Sequence, residues 1–233
     1  MNAIVIKRLN KQFQGKRAVT DLNLDIQEGE VFALLGVNGA GKNTTIRMLS
    51  CLTQPDSGDA HLLGRSIISD PQGVKAVINL SPQETAVAPN LSVRENLELI
   101  AGIYGAGRRE ARGKAVRTAE KLGLDEVIEK KAKTLSGGWQ RRLSIAMALI
   151  SEPRILFLDE PTLGLDILAR RELWRLIEGL RGTVTIILTT HYLEEAEALS
   201  DRIGILAGGA LKALGTAKEL ITLAGAANFE DAF

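Results

Sequence analysis

The chain has 233 residues, enough to bury a substantial core and best suited to one large α/β domain with room for an inserted subdomain. Hydrophobic residues at 45% and charged residues at 24% exclude a disordered chain or a repeat fibre. Twenty-nine Lys and Arg against 28 Asp and Glu give a formal charge of +1, so no surface built to coat nucleic acid is expected.

Ile4 to Leu9, then Leu22, Leu24 and Ile26 at every second position, predict strands of a half-exposed antiparallel sheet. The buried strand Val31 to Leu35 follows, then a glycine-rich turn and a helix of about ten residues opening near Lys42. Gly58 to Leu63 and Val77 to Leu80 read as further strands. Residues 92 to 150 change character: Val93, Leu97 and Ile100 line one helical face, Ala115, Ala119 and Leu122 another, and no strand is convincing. An inserted helical subdomain at about 88–150 is therefore expected. Ile155 to Leu158, a helix from about Ile167, Val184 to Leu188 and a helix from Leu193 alternate as in a parallel sheet covered on both faces, and Ile203 to Leu206 adds a strand. The main domain is expected to end near residue 215, with a C-terminal helix and tail over 216–233, of which Gly225 to Phe233 reads as loosely held. No apolar stretch approaches the roughly 18 residues of a membrane-spanning helix. Met1 to Leu9 lacks the apolar block and cleavage site of a secretory signal, so a cytoplasmic location is expected. The single cysteine, Cys51, forms no internal disulfide and is assigned no role.

Gly36-Val-Asn38-Gly39-Ala40-Gly41-Lys42 lies between a buried strand and a helix, the context a phosphate-binding loop requires. Glycines let the backbone wrap around phosphate oxygens, the helix N-terminus offers free N–H groups, and Lys42 supplies a point charge for the β- and γ-phosphates. The pattern expects Ser or Thr after the lysine as a magnesium ligand, and this chain has Asn43, with the hydroxyl of Thr44 one position on. Near-octahedral coordination at roughly 2.0–2.1 Å makes an amide a poor substitute, which bears on hydrolysis more than on binding.

Asp159 and Glu160 end an apolar strand, where a parallel sheet delivers residues to a ligand crevice. Asp159 is expected to hold magnesium and Glu160 to orient or deprotonate the attacking water; a plain strand-end turn before Pro161 is the alternative. His191, after the strand ending Thr189-Thr190, is a candidate γ-phosphate sensor, though a lone histidine is more often structural.

Leu135-Ser136-Gly137-Gly138-Trp139-Gln-Arg-Arg142 resembles the signature of the ATP-binding cassette family, and Ser136 with the N–H groups of Gly137 and Gly138 forms a second anion cradle at a helix start. Trp139 stands where glutamine is commoner. The resemblance covers nearly the whole chain. It implies a P-loop NTPase core with a mainly parallel sheet, an N-terminal antiparallel β-subdomain and an inserted α-helical subdomain. It implies ATP with Mg2+, and two copies arranged head to tail so that the signature of one caps nucleotide on the phosphate loop of the other. Phe13 matches the residue that stacks on adenine, and Val19 is counted with it as a nucleotide contact. Gln83 matches a magnesium ligand that joins the core to the helical subdomain, and Asp166 a loop that couples the two sites. Residues 191–202 and the ending Asn228 to Phe233 look like the branch that energises exporters of drugs, lipids, polysaccharides or sodium. An integral-membrane permease is then the implied partner, docked on the helical subdomain around Ser81 to Leu97, with the chain peripheral on the cytoplasmic face of the membrane. Soluble relatives acting in translation or DNA repair usually carry two cassettes or a coiled-coil arm, and neither is evident here. A slowly hydrolysing regulator is the third reading, motivated by Asn43.

Overall fold

The computed structural model describes residues 1–233. Four strands make an N-terminal antiparallel sheet: β1 (Asn2–Phe13), β2 (Lys16–Gln27), β4 (Ser57–Leu62) and β5 (Arg65–Ser66), in the order β2-β1-β4-β5. Its alternating residues turn Ile4, Ile6, Leu22, Leu24 and Ile26 inward, as a sheet with one solvated face requires.

The central sheet has six strands: β3 (Val31–Leu35), β6 (Ile78–Ser81), β7 (Ile155–Asp159), β8 (Thr185–Thr190), β9 (Arg202–Ala207) and β10 (Ala210–Gly215), in the order β10-β9-β3-β8-β7-β6. All neighbours are parallel except β9 and β10, which form a hairpin. Every residue of β3, β7 and β8 is buried, the continuous apolar reading of strands covered on both faces. One face packs with the N-terminal sheet around α1 (Lys42–Leu49) and α2 (Pro71–Lys75) in a core of 23 buried residues. The other packs under α6 (Ile167–Glu178), α7 (Leu193–Leu199), α8 (Ala217–Ala224) and α9 (Phe229–Ala232) in a core of 18.

A third core of 15 buried residues lies within Val93–Ile150, among α3 (Val93–Ile103), α4 (Arg108–Lys121) and α5 (Gly137–Leu149). Ser92 and Glu95 close a capping box at the start of α3, satisfying two of the amide donors that a helix start leaves free. The C-terminal segment corrects the expectation of a loose tail. Asn228 caps α9, and Phe229, only 2% exposed, inserts into the core beside α7. The buried ring anchors the tail to the core, a contact no local pattern reveals. No helix is long and apolar enough to cross a membrane.

Candidate functional site

The C-terminal ends of adjacent parallel strands converge on one crevice: β3 delivers the phosphate loop, β7 delivers Asp159 and Glu160, and β6 delivers Gln83, while β8 brings His191 behind Glu160, outside the crevice's lining. The resulting cleft, about 510 Å³, is lined by Phe13, Gln14 and Lys16 to Ala18 around the β1–β2 turn, by Val37 to Thr44, and by Gln83, Asp159 and Glu160.

Two glycines show why the loop takes this path. A Cβ at Gly36 would stand 2.4 Å from the Leu206 carbonyl oxygen, and one at Gly41 2.4 Å from that of Ala18. Gly41 also sits at φ 108, in the left-handed region open to glycine. The loop is thus clamped between β9 and the β1–β2 hairpin. Lys42 is buried; its Nζ donates to the Gly36 carbonyl at 2.6 Å and stands 3.3 Å from Glu160 Oε1, centred in the loop's mouth.

Glu160 adopts φ 47, a conformation that costs a non-glycine residue about 1–2 kcal/mol and persists where neighbours over-determine it. They do so here: its N–H donates to Thr189 Oγ1 at 3.0 Å, and its carbonyl accepts from Arg141 at 3.0 Å. The strained turn aims the side chain so that Oε1 meets Lys42 and Oε2 meets His191 Nδ1 at 2.7 Å. The carboxylate is held by a cation on one side and an imidazole on the other, the geometry of a base whose orientation is fixed in advance.

Phe13, half-exposed, forms one wall of the cleft with Lys11 Nζ 5.4 Å from its ring centroid. Gly39, Asn38, Ala40 and Thr44 lie in the lining as expected. Val19 does not: it is 2% exposed and lies beneath Gly41, so it supports the loop from within the core and has no surface for a ligand. Ser136, Gly137 and Gly138 lie outside this cleft, at the N-terminus of α5, where the first two are exposed and Ser136 makes no side-chain cap. A Cβ on Gly138 would meet Ala169 Cβ at 2.9 Å, so this glycine lets α5 and α6 approach closely. Asp166 likewise lies apart, capping α6 by accepting from the N–H groups of Leu168 and Ala169 at 2.9 Å.

The magnesium set expected at Asn43, Gln83 and Asp159 is brought to one cleft, but its chemistry does not fit the ion. Asn43 Nδ2 donates to Asp159 Oδ2 at 2.8 Å, and Thr189 Oγ1 donates to Asp159 Oδ1 at 2.5 Å. A donor amide stands where an octahedral cation demands an oxygen.

Sequence reasoning left Arg141 without a role, although it lies inside the signature stretch. It is 3% exposed, and its guanidinium donates to the carbonyls of Pro82 (2.5 Å), Gln83 (2.7 Å) and Glu160 (3.0 Å). Burial pulls its pKa down, with Asp159 and Glu195 opposing. The only signal would have been a charged residue at a position that helical spacing places inward. Lys16 and Arg17 were also missed; they follow the Phe13 turn and bring two cations to the cleft.

A phosphate loop, a strand-end carboxylate and a buried lysine between them are the features of a phosphate-loop nucleotide hydrolase. The family described as ABC transporter matches residues 19–163, and the chain belongs to it, as an ATP-hydrolysing transporter subunit. Its relatives include the daunorubicin resistance ATP-binding protein DrrA3 of Streptomyces coeruleorubidus, 41% identical over 94% of this chain and 69% of that one. The doxorubicin resistance ATP-binding protein DrrA of Mycobacterium tuberculosis is 41% identical over 96% and 68%. The chain thus spans about two-thirds of the length of these curated relatives. The human phospholipid-transporting ATPase ABCA3 is 40% identical over 91% of this chain and 13% of its own. Among solved structures, cbiO1 from Clostridium perfringens, part of the transporter complex cbiONQ, aligns with a TM-score of 0.87 at 26% identity over 95% of this chain and 91% of that one. The cassette MJ0796, a dimer in a post-hydrolysis state bound to ADP and Pi, aligns with a TM-score of 0.80 at 26% identity over 91% and 98%.

Proposed function

We propose that two copies of this chain close head to tail around ATP and thereby drive a separate membrane permease, most simply an exporter of an amphipathic drug or lipid. The observation that carries the dimer is the division of the site. The cleft that holds the phosphate loop lacks Ser136, Gly137 and Gly138, while Ser136 and Gly137 stand exposed at a helix N-terminus with amide donors to spare. Each chain then has two grips for phosphate that do not meet within itself, and a second copy completes each site. The neighbour MJ0796, dimeric with ADP and Pi, supports this arrangement. The exporter direction rests on the relatives named for drug resistance and phospholipid transport. Docking on the permease through the helical subdomain places the chain peripherally on the cytoplasmic face of the membrane.

Within each site Phe13 stacks on the adenine, and Lys42 neutralises charge on the β- and γ-phosphates. Glu160 takes the proton of the attacking water. His191, tied to Glu160, contacts the γ-phosphate and reports its loss to α7. Asp166 stiffens the start of α6 next to the signature, placing its loop where the partner copy passes.

The test is Glu160→Gln, which keeps the shape and removes the base. General-base loss costs about 10²–10⁴ in rate, so ATP should hold the variant as a dimer in size-exclusion chromatography while the wild type stays largely monomeric. A Glu160→Gln protein that binds ATP and still elutes as a monomer contradicts the head-to-tail closure.

A further inference from the structure

Position 43 is where this chain breaks the phosphate-loop pattern, and its side chain has a definite partner. Asn43 is longer than the serine or threonine of the pattern, and it crosses from the start of α1 to the end of β7 to reach Asp159 Oδ2 at 2.8 Å. An ionised carboxylate only accepts, so the group facing it is the NH2 and not the amide oxygen. The second carboxylate oxygen is taken by the Thr189 hydroxyl, and Asp159 is 7% exposed, so both of its oxygens are met by protein donors in a water-poor setting. The amide presents its partial positive charge to Asp159 Oδ2. A magnesium ion, which dehydrates reluctantly and demands oxygen ligands, would have to break this bond and rotate the amide before it found a ligand.

The groups that grip phosphate do not share this dependence. Lys42 and the N–H groups of the loop and of α1 stand ready independently of position 43. The cleft wall also carries Lys16 and Arg17, so three cations face two acids, and both acids already accept bonds from Asn43, Thr189, Lys42 and His191.

We infer that this site takes ATP as the metal-free polyanion, with the Asn43 amide bonded to Asp159 in the place of the divalent cation, so that nucleotide affinity is indifferent to magnesium. The inference rests on the reading that the cleft binds ATP, and the experiment separates the two. ATP is titrated by calorimetry into the wild type, Asn43→Thr and Lys42→Ala, each in excess magnesium chloride and in EDTA. The wild-type affinity is expected to change by less than about threefold between the two buffers, and that of Asn43→Thr to fall by about tenfold or more on chelation, a difference of roughly 1.4 kcal/mol. Asn43→Ser, a smaller hydroxyl, serves should the threonine variant fold poorly. A tenfold loss of wild-type affinity in EDTA overturns the inference. So does equal indifference to metal in the hydroxyl variants, which would show that the amide is not its cause. Absence of ATP binding by the wild type in both buffers instead sinks the nucleotide reading itself, and Lys42→Ala binding as well as wild type would place the nucleotide elsewhere.

Discussion

Replacing Arg141 by Met removes a cation that three segments share while keeping most of the side-chain volume. The guanidinium binds the carbonyls of Pro82 and Gln83 in the loop after β6 and that of Glu160 in the loop after β7, from a position on α5 inside the signature, one turn after its two glycines. A hydrogen bond to a charged group contributes about 1.5–3 kcal/mol, so three sum to about 4.5–9 kcal/mol. Burying the guanidinium offsets part of this, as its lowered pKa shows, and an apolar replacement is relieved of that cost. The carbonyls left behind keep weaker partners or none. A net loss of about 4 kcal/mol is expected, which lowers Tm by about 8–16 °C in a chain of this size. Arg141→Lys keeps the charge but cannot span three acceptors, so it should fall between the two. Scanning calorimetry measures both, and ATP turnover at a temperature where each variant is folded should fall as well, because Glu160 loses one of the bonds that hold its strained turn. A Tm within about 3 °C of wild type for Arg141→Met would refute the reasoning.

Two further outcomes follow from the site. Lys42→Ala should abolish ATP binding to the monomer, whereas Ser136→Ala should spare it and remove cooperative hydrolysis; equal loss of affinity in both, by calorimetry, contradicts the division of the site between subunits. Glu195 is fully buried, with Oε1 accepting from the Trp174 indole at 3.3 Å and Oε2 unpartnered, and burial raises its pKa. A carboxyl raised in the fold contributes stability that is complete below its unfolded value of about 4.3 and is lost as pH climbs towards the folded value. Glu195→Gln has no charge to form, so its Tm should gain on the wild type as pH rises above about 4.3, and a pH-independent difference would show that burial does not raise this carboxyl.

What the sequence discloses is what repeats over short distances. The apolar runs of β3, β7 and β8 announce a covered parallel sheet because burial on both faces leaves no polar positions, and the glycines of the phosphate loop announce a close approach because only they tolerate it. β10 escaped the reading because Ala210 to Gly215 is short and weakly apolar, although Gly208-Gly209 before it is a hairpin signal. Phe229 looked like part of a loose end because its partners on α7 lie some thirty residues away.

The site shows the same limit more sharply. Asn43 and Asp159 were each singled out, one as a broken magnesium ligand and one as an intact one, and treated separately they suggested a weakened metal site. They are 116 residues apart in the chain and 2.8 Å apart in the fold. Once paired, the departure at 43 ceases to be a missing ligand and becomes a bond, and the same bond consumes an acceptor of Asp159. Whether a substitution impairs a site or converts it depends on what the new atoms touch. Arg141 makes the converse point: in the motif around Ser136 the charge buried behind the exposed serine and glycines joins that motif to Glu160, through a bond that local spacing does not disclose.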